Sequence, residues 1–340
     1  MTAAKKWSVR EATANDDAGL GELFRVVFGF DRGDEHYHWK FRDNPAGPPI
    51  IALAEAEGKI VGQYALWPTQ LRLGTELVSG AQSLDTMTHP DFRGQGMFTV
   101  LAEECMRYAA ARGVEALYGF PNDNSQPGFV RKLDWDCTGL VPMWIRPLRV
   151  SKHRRTPSWI GPVADLAALL LPRGRTRAFE MRAGSPSVDV IEGILAPWRA
   201  QKSICRVERS AAHFAWRFGP ASGMRYTYVC AYRNDQLSAM GVWGIDIRNG
   251  NAVLAELHSR DSAAAQAVLS AIVDVAIDAN CPLLLAVSGR PSLASTLARC
   301  GFIRCGAIPF IVRKLTARTL GANVHTHSNW EVFGADLDTM

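Results

Sequence analysis

The sequence predicts an α/β fold made of two mixed-sheet domains in tandem, with helices packed on both sheet faces. Three observations carry this. The first 150 residues alternate strand-like and helical runs in the order β-α-β-β-β-α-β-α-β. The same order returns after about residue 205, which marks an internal duplication. A short basic turn with two glycines, Arg93-Gly94-Gln95-Gly96-Met97-Phe98, joins a long strand to a long helix in the first copy only. The expected boundaries are 1–150 for the first domain, 151–204 for a basic linker and 205–340 for the second domain.

In order, 7–11 reads as a strand, and Leu20, Leu23, Phe24, Val27 and Phe28 set a helical period behind the cap-rich 13–17. The aromatic run Tyr37-His38-Trp39-Lys40-Phe41 closes at Asn44-Pro45. Runs 50–57 and 60–67 flank Gly58 as paired strands, and a turn near Gly74 leads into the long strand that ends at His89-Pro90. The helix after the turn is expected over 94–112, with Phe98, Leu101, Ala102, Cys105 and Ala109 on one face and Gly113 as its stop. A buried strand over 114–120, a helix over 125–133 and closing strands over 135–141 and 143–150 complete the first copy. In the second copy, His213-Phe214-Ala215-Trp216-Arg217-Phe218 echoes the aromatic run, with Trp39 and Trp216 as expected core anchors. Strands over 226–232, 237–247, 252–258, 283–287 and 308–315 and helices over 263–279 and 292–299 follow.

A chain of 340 residues is long enough for two cores, and 47% hydrophobic with 21% charged residues is an ordinary globular balance. The net charge of +5 is local: 146–177 holds eight Arg or Lys against Asp165 alone, a net +7, so the remainder is about −2. This does not describe a nucleic-acid-binding protein as a whole. The strip is expected to be a solvated linker with one packed helix, and an anionic surface is a conceivable partner for it. Seven cysteines at 105, 137, 205, 230, 281, 300 and 305 include no C-x-x-C pair and read as reduced, packed thiols of a cytoplasmic protein. No apolar run is long enough to span a bilayer, and no targeting segment is expected at the N-terminus. His325 and His327 lack a nearby Cys or carboxylate cluster, so no metal is expected; Asp336 and Asp338 read as solvated tail residues.

The glycine turn is the chemical feature. Glycines let backbone N–H groups converge, the helix adds unpaired N–H groups and its positive dipole end, and Arg93 adds a fixed charge. Together they suit a phosphate or pyrophosphate. In the second copy the matching stretch, Leu257-His258-Ser259-Arg260-Asp261-Ser262, has no glycine and puts Asp261 where an anion would bind. One such site per chain is expected.

Arg93-Gly94-Gln95-Gly96-Met97-Phe98, with Thr88-His89-Pro90 before it and Lys132-Leu133-Asp134-Trp135 after it, resembles the GNAT superfamily of acyl-CoA-dependent N-acyltransferases. The resemblance covers about 7–150, and about 205–315 as a degenerate second copy. It implies acetyl-CoA as co-substrate, its pyrophosphate held by Arg93, Gly94, Gln95, Gly96, Met97 and Phe98. It implies a pantetheine arm lying where strand 85–88 splays from strand 114–120. Met87 and Thr88 would bond the arm through their backbone, and Asn122 or Asn124 would bond its amides. The Met87 N–H would polarise the thioester carbonyl. The acceptor implied is a small-molecule primary amine, such as an amino sugar or amino acid derivative, attacking directly in a ternary complex. The second copy would wall the acceptor cleft.

Two departures follow. Phe98 stands where the family has Gly or Ala, and Val130 stands where a tyrosine often protonates the leaving thiolate. Tyr118 or Tyr64, or a water, is the expected substitute acid. Asp85 is the first candidate base, with a carboxylate paired to Arg93 as the plainer reading; His89 reads as a turn histidine. A catalytically silent acyl-CoA-binding or partner-binding module, and an acyltransferase fed by an acyl-carrier protein, are the alternatives.

Overall fold

The structure, a computed structural model, describes residues 7–174 and 178–338. Arg175 and Arg177 of the basic strip, and the N-terminal lysines, lie outside the described residues. The chain forms two compact units, Met1–Gly139 with Pro309–Asn329, and Leu140–Ile308 with Trp330–Met340.

The first unit runs β1 (Ser8–Glu11), α1 (Asp17–Phe28), α2 (Asp34–Phe41), β2 (Ile50–Ala56), β3 (Lys59–Leu73), β4 (Glu76–Thr88), α3 (Met97–Ala111), β5 (Ala116–Gly119) and α4 (Gln126–Lys132). Its strands lie in the order β1-β2-β3-β4-β5, antiparallel except that β4 and β5 are parallel. A parallel pair needs a crossover, and α3 supplies it. Leu101, Ala102, Cys105 and Ala109 of α3 are buried with Ala52, Ala54, Tyr64 and Leu66 in one core. Burial of Leu101, at 1% exposure, contributes about 2 kcal/mol. Leu23 and Phe24 of α1 pack with Met87 in a separate cluster.

The second unit repeats the order. After β6 (Asp136–Pro147) come α5 (Gly161–Leu169), β7 (Glu180–Ala183), α6 (Val188–Arg199), β8 (Cys205–Val207), α7 (Ala211–Arg217), β9 (Arg225–Arg233), β10 (Gln236–Ile245), β11 (Ala252–Ser259), α8 (Ser262–Asp278), β12 (Leu283–Val287), α9 (Pro291–Arg299) and β13 (Ile303–Lys314). Its sheet order, β7-β9-β10-β11-β12, matches β1 to β5, again with one parallel pair, β11 with β12.

Three expectations are corrected. The closing strands trade places: residues 311–314 of β13 pair with β5, and residues 143–147 of β6 pair with β12. Each unit is completed by a strand from the other half of the sequence. The similar apolar pattern of the two strands lets either fill the last position of either sheet. Second, 151–204 is no solvated linker. β7 pairs with β9, and Ile191, Ile194, Leu195 and Trp198 of α6 enter the second unit's core. Third, the tail is not solvated: Phe333, Ala335, Asp336 and Leu337 are buried in that unit. Among single residues, Trp39 is buried, but Phe214, not the half-buried Trp216, anchors α7. Cys137 and Cys305 are exposed; the other five thiols are buried, and all seven are free.

Candidate active site

β4 and β5 pair only as far as Ser83 and Gly119. Beyond that point β4 continues to Thr88 while β5 has ended, so the parallel pair opens. Within the opened stretch β4 bulges. Leu84 faces Ala65 and Met87 faces Gln63, so Asp85 and Thr86 together stand opposite the single residue Tyr64. Asp85 adopts a left-handed φ of 45° to make the bulge.

What holds Asp85 in that conformation is charge. Its carboxylate lies 2.7 Å from Nη2 of Arg32 and 3.2 Å from Nζ of Lys40, with all three side chains at most 9% exposed. Gln63 Nε2 donates to the Asp85 carbonyl at 2.8 Å. Arg32 also lies over the Phe24 ring. Burial alone would raise the Asp85 carboxyl, but Lys40 and Arg32 outweigh it and hold the group below the usual carboxylate range. Asp85 is thus not paired with Arg93, and as a permanent anion between two cations it is a weak proton acceptor. Its geometry is that of a positioning residue for the bulge carrying Met87 and Thr88. The Met87 side chain is buried, so only its backbone is available to a ligand. Thr88 pairs with Gly62 at the strand end.

The turn follows directly. A 3₁₀ turn over Pro90–Phe92 uses the Arg93 N–H, which donates to the Pro90 carbonyl at 3.3 Å; the backbone cradle therefore begins at Gly94, not at Arg93. Gly94 and Gly96 sit at φ of 76° and 74°, where a side chain is strained, and open space surrounds the place a Cβ would take at each. No hydrogen bond engages the N–H groups of Gly94, Gln95 or Gly96 among the described residues. The Gln95 side chain is used elsewhere, accepting from the Trp7 indole at 3.2 Å.

Helix α3 begins at Met97, three residues later than expected, with Gly96 as an N-cap that offers no side chain to the first-turn N–H groups. A 15-residue helix therefore presents an unneutralised dipole end to the exposed turn, beside the exposed Arg93 guanidinium. The second unit does the opposite. Asp261 caps α8, its carboxylate accepting from the Ala264 N–H at 2.7 Å. The second copy keeps the scaffold and fills its anion position with its own carboxylate.

Phe98 fits through a compensation. Its ring stands edge-on to Phe129 at 5.2 Å, and Gly128 of α4 leaves the room: a Cβ there would come within 2.9 Å of Phe98. Gly62 does the same for Met97 and Leu101.

The expected acids are packed side chains. Tyr64 is fully buried, and its hydroxyl accepts from Ser83 at 2.8 Å; burial pushes its phenol far up. Tyr118 is 3% exposed, and its hydroxyl donates to Gln82 Oε1 at 3.3 Å. Val130, by contrast, is 40% exposed on α4. Asn124 is exposed; its N–H and that of Ser125 donate to Asn122 Oδ1, so Asn122 builds the turn and leaves the Asn124 side chain outward. His89 Nδ1 accepts from the Asp91 N–H, as a turn histidine does. His325 meets Asp136 and His327 approaches Thr138; no group of three or more metal-binding side chains occurs among the described residues.

Arg32, Lys40, Gln63 and Gly128 were missed by sequence reasoning. Lys40 had a signal, a lone lysine inside an aromatic helix flanked by buried Trp39 and Phe41. Arg32 and Gln63 had none.

A parallel strand pair that opens over a bulge, followed by a glycine turn onto an uncapped helix, is an α/β arrangement suited to a ligand that carries a phosphate or pyrophosphate. Residues 8–138 match the family model described as acetyltransferase (GNAT) domain. The chain is 26% identical over 160 residues to an uncharacterized N-acetyltransferase of Methanocaldococcus jannaschii, covering 43% of this chain and 67% of that protein. Its fold is similar to a GCN5-related N-acetyltransferase from Anabaena variabilis (TM-score 0.65, 12% identity, 91% of this chain and 73% of that one). It is also similar to a probable N-acyltransferase from Enterococcus faecalis (TM-score 0.67, 14% identity, the same coverages). Residues 8–138 are thus similar to GNAT acetyltransferase domains, and a domain of that fold implies acetyl-CoA as a co-substrate.

Proposed function

We propose that the first unit transfers the acetyl group of acetyl-CoA to a primary amine of a small molecule, an amino sugar or amino acid derivative, by direct attack on the thioester. The observation that carries this reading is the uncapped N-terminus of α3 behind Gly94 and Gly96, next to the opened β4–β5 pair. Backbone N–H groups of 94–98 and the Arg93 side chain would hold the pyrophosphate. The backbone of Met87 and Thr88 would hold the pantetheine arm, and the Met87 N–H would meet the oxyanion of the tetrahedral intermediate. Asp85 fixes the bulge and takes no proton. Free thiols have a pKa of about 8.5, so the thiolate can leave without a tyrosine on α4.

The lack of a hydroxyl on α4 favours one alternative, an acyl-CoA-binding module without turnover. Free-thiol release from acetyl-CoA over a panel of small amines separates the two. Turnover with one amine supports the enzyme; tight binding with no turnover on any amine refutes it. Turnover only with acyl-carrier-protein thioesters would move the donor to that class.

A further inference from the structure

Helix α5 of the second unit carries its apolar residues on the outside. Trp159 is 78% exposed, Val163 69%, Leu166 62%, Leu169 53% and Leu170 82%. At 100° per residue, 163, 166 and 170 fall on one stripe, with 169 beside it. The opposite side, Gly161 and Ala168, is buried. Gly161 rests on Ser151, and Asp165 is turned toward the same segment, accepting from the Ser151 N–H at 2.9 Å. The helix therefore shows solvent the face a helix ordinarily hides.

The segment is anchored at both ends. The Leu148 and Arg149 N–H groups donate to Pro282 and Cys281, and Arg146 donates to the Pro172 carbonyl at 3.0 Å. The apolar stripe thus stands on a fixed base. Arg149, Lys152, Arg154 and Arg155 lead into it, all exposed and none in an ion pair among the described residues. The one acid of the strip, Asp165, is occupied by Ser151. A tryptophan and aliphatic side chains preceded along the chain by four exposed cations match a membrane interface, where apolar groups enter the acyl boundary and cations meet anionic headgroups. A second copy of this chain would bring four unpaired cations against four more, so like-charge repulsion opposes that occupant.

We propose that Trp159 and the outer face of α5, with Arg149, Lys152, Arg154 and Arg155, dock the protein on an anionic lipid surface. The test is co-sedimentation of the full chain with phosphatidylcholine vesicles, with and without phosphatidylglycerol. Binding is expected only with the anionic lipid, and it should fall as salt rises. Arg154→Ser with Arg155→Ser should weaken it about five-fold per residue. Leu166→Glu with Leu170→Glu should weaken it more than about tenfold. Both pairs are exposed, so a circular-dichroism melt should match that of the wild type. No binding to anionic vesicles, or binding untouched by the leucine pair, overturns the proposal. So does a dimer that the leucine pair dissociates in the absence of lipid, or capture of an acidic carrier protein without vesicle binding.

Discussion

Replacing Asp85 by asparagine keeps the side chain's shape and removes its charge. Arg32 and Lys40 then face each other across a site in which every side chain is at most 9% exposed. Breaking a buried pair from one side costs about 3–5 kcal/mol, because the remaining charge stays desolvated. At about 2–4 °C per kcal/mol for a unit of this size, the first unit's thermal midpoint should drop by roughly 6–20 °C. Calorimetry in the Lys40→Met background should show a smaller drop, since one of the two stranded cations is then gone. The pH dependence has a definite sign. The folded carboxyl lies below its unfolded value, so its stabilisation is present above about pH 4 and is lost as pH falls. A loss in Asp85→Asn under about 1 kcal/mol, or one unchanged by Lys40→Met, would refute the buried-pair reasoning. Catalysis gives a second readout: loss of a general base lowers kcat by about 10²–10⁴ with binding intact, whereas loss of a positioning residue weakens CoA binding as well.

Two exchanges probe the helix ends. Gly96→Asp puts a carboxylate at the α3 N-terminus, and calorimetric titration should show CoA affinity falling by more than about a hundredfold, while the left-handed backbone at this position costs about 1 kcal/mol of stability. Asp261→Ala removes the cap of α8, so urea unfolding should show a loss of about 1 kcal/mol with CoA affinity unaltered. In the second unit, burial works to raise the Glu256 carboxyl, but Arg209 and His258 hold it at about 2. Its stabilisation should fade as pH drops from about 4 toward 2, and Glu256→Gln should flatten that limb in a pH series of thermal melts.

The duplication gives these charges a common logic. In each unit a carboxylate next to a bulge is buried against a cation from the α2 or α7 region: Asp85 with Lys40 of α2, and Glu256 with Arg209 just before α7. The first unit leaves its following helix open, and the second closes it with Asp261. One scaffold thus carries an anion position that is vacant of side chains in one copy and self-occupied in the other.

Most of the element order, the duplicated pattern and the glycine turn were legible from the sequence alone, because each depends on local rules; α2 and α7 were visible only as aromatic runs, and β7 and α6 lay inside the expected linker. Apolar period sets helix or strand within a window, and a left-handed turn onto a helix calls for glycine wherever it occurs. Gly94 and Gly96 could be placed without knowing what lay nearby, and Asp261 could be placed at the matching position of the second copy, though its capping bond was seen only in the structure. The tertiary structure alone decided what depends on partners distant in sequence. Asp85 lies 53 residues from Arg32 and 45 from Lys40, so nothing local distinguishes a buried ion pair from a base. The trade of β6 and β13 was hidden for a related reason: periodicity says that a strand has an apolar face, not which sheet accepts it. The same limit applies to α5, where the spacing of Val163, Leu166 and Leu170 reveals a stripe. Whether that stripe faces the core or the solvent depends on the free energy of packing against the rest of the unit, and here Gly161 and Ala168 took the inner side.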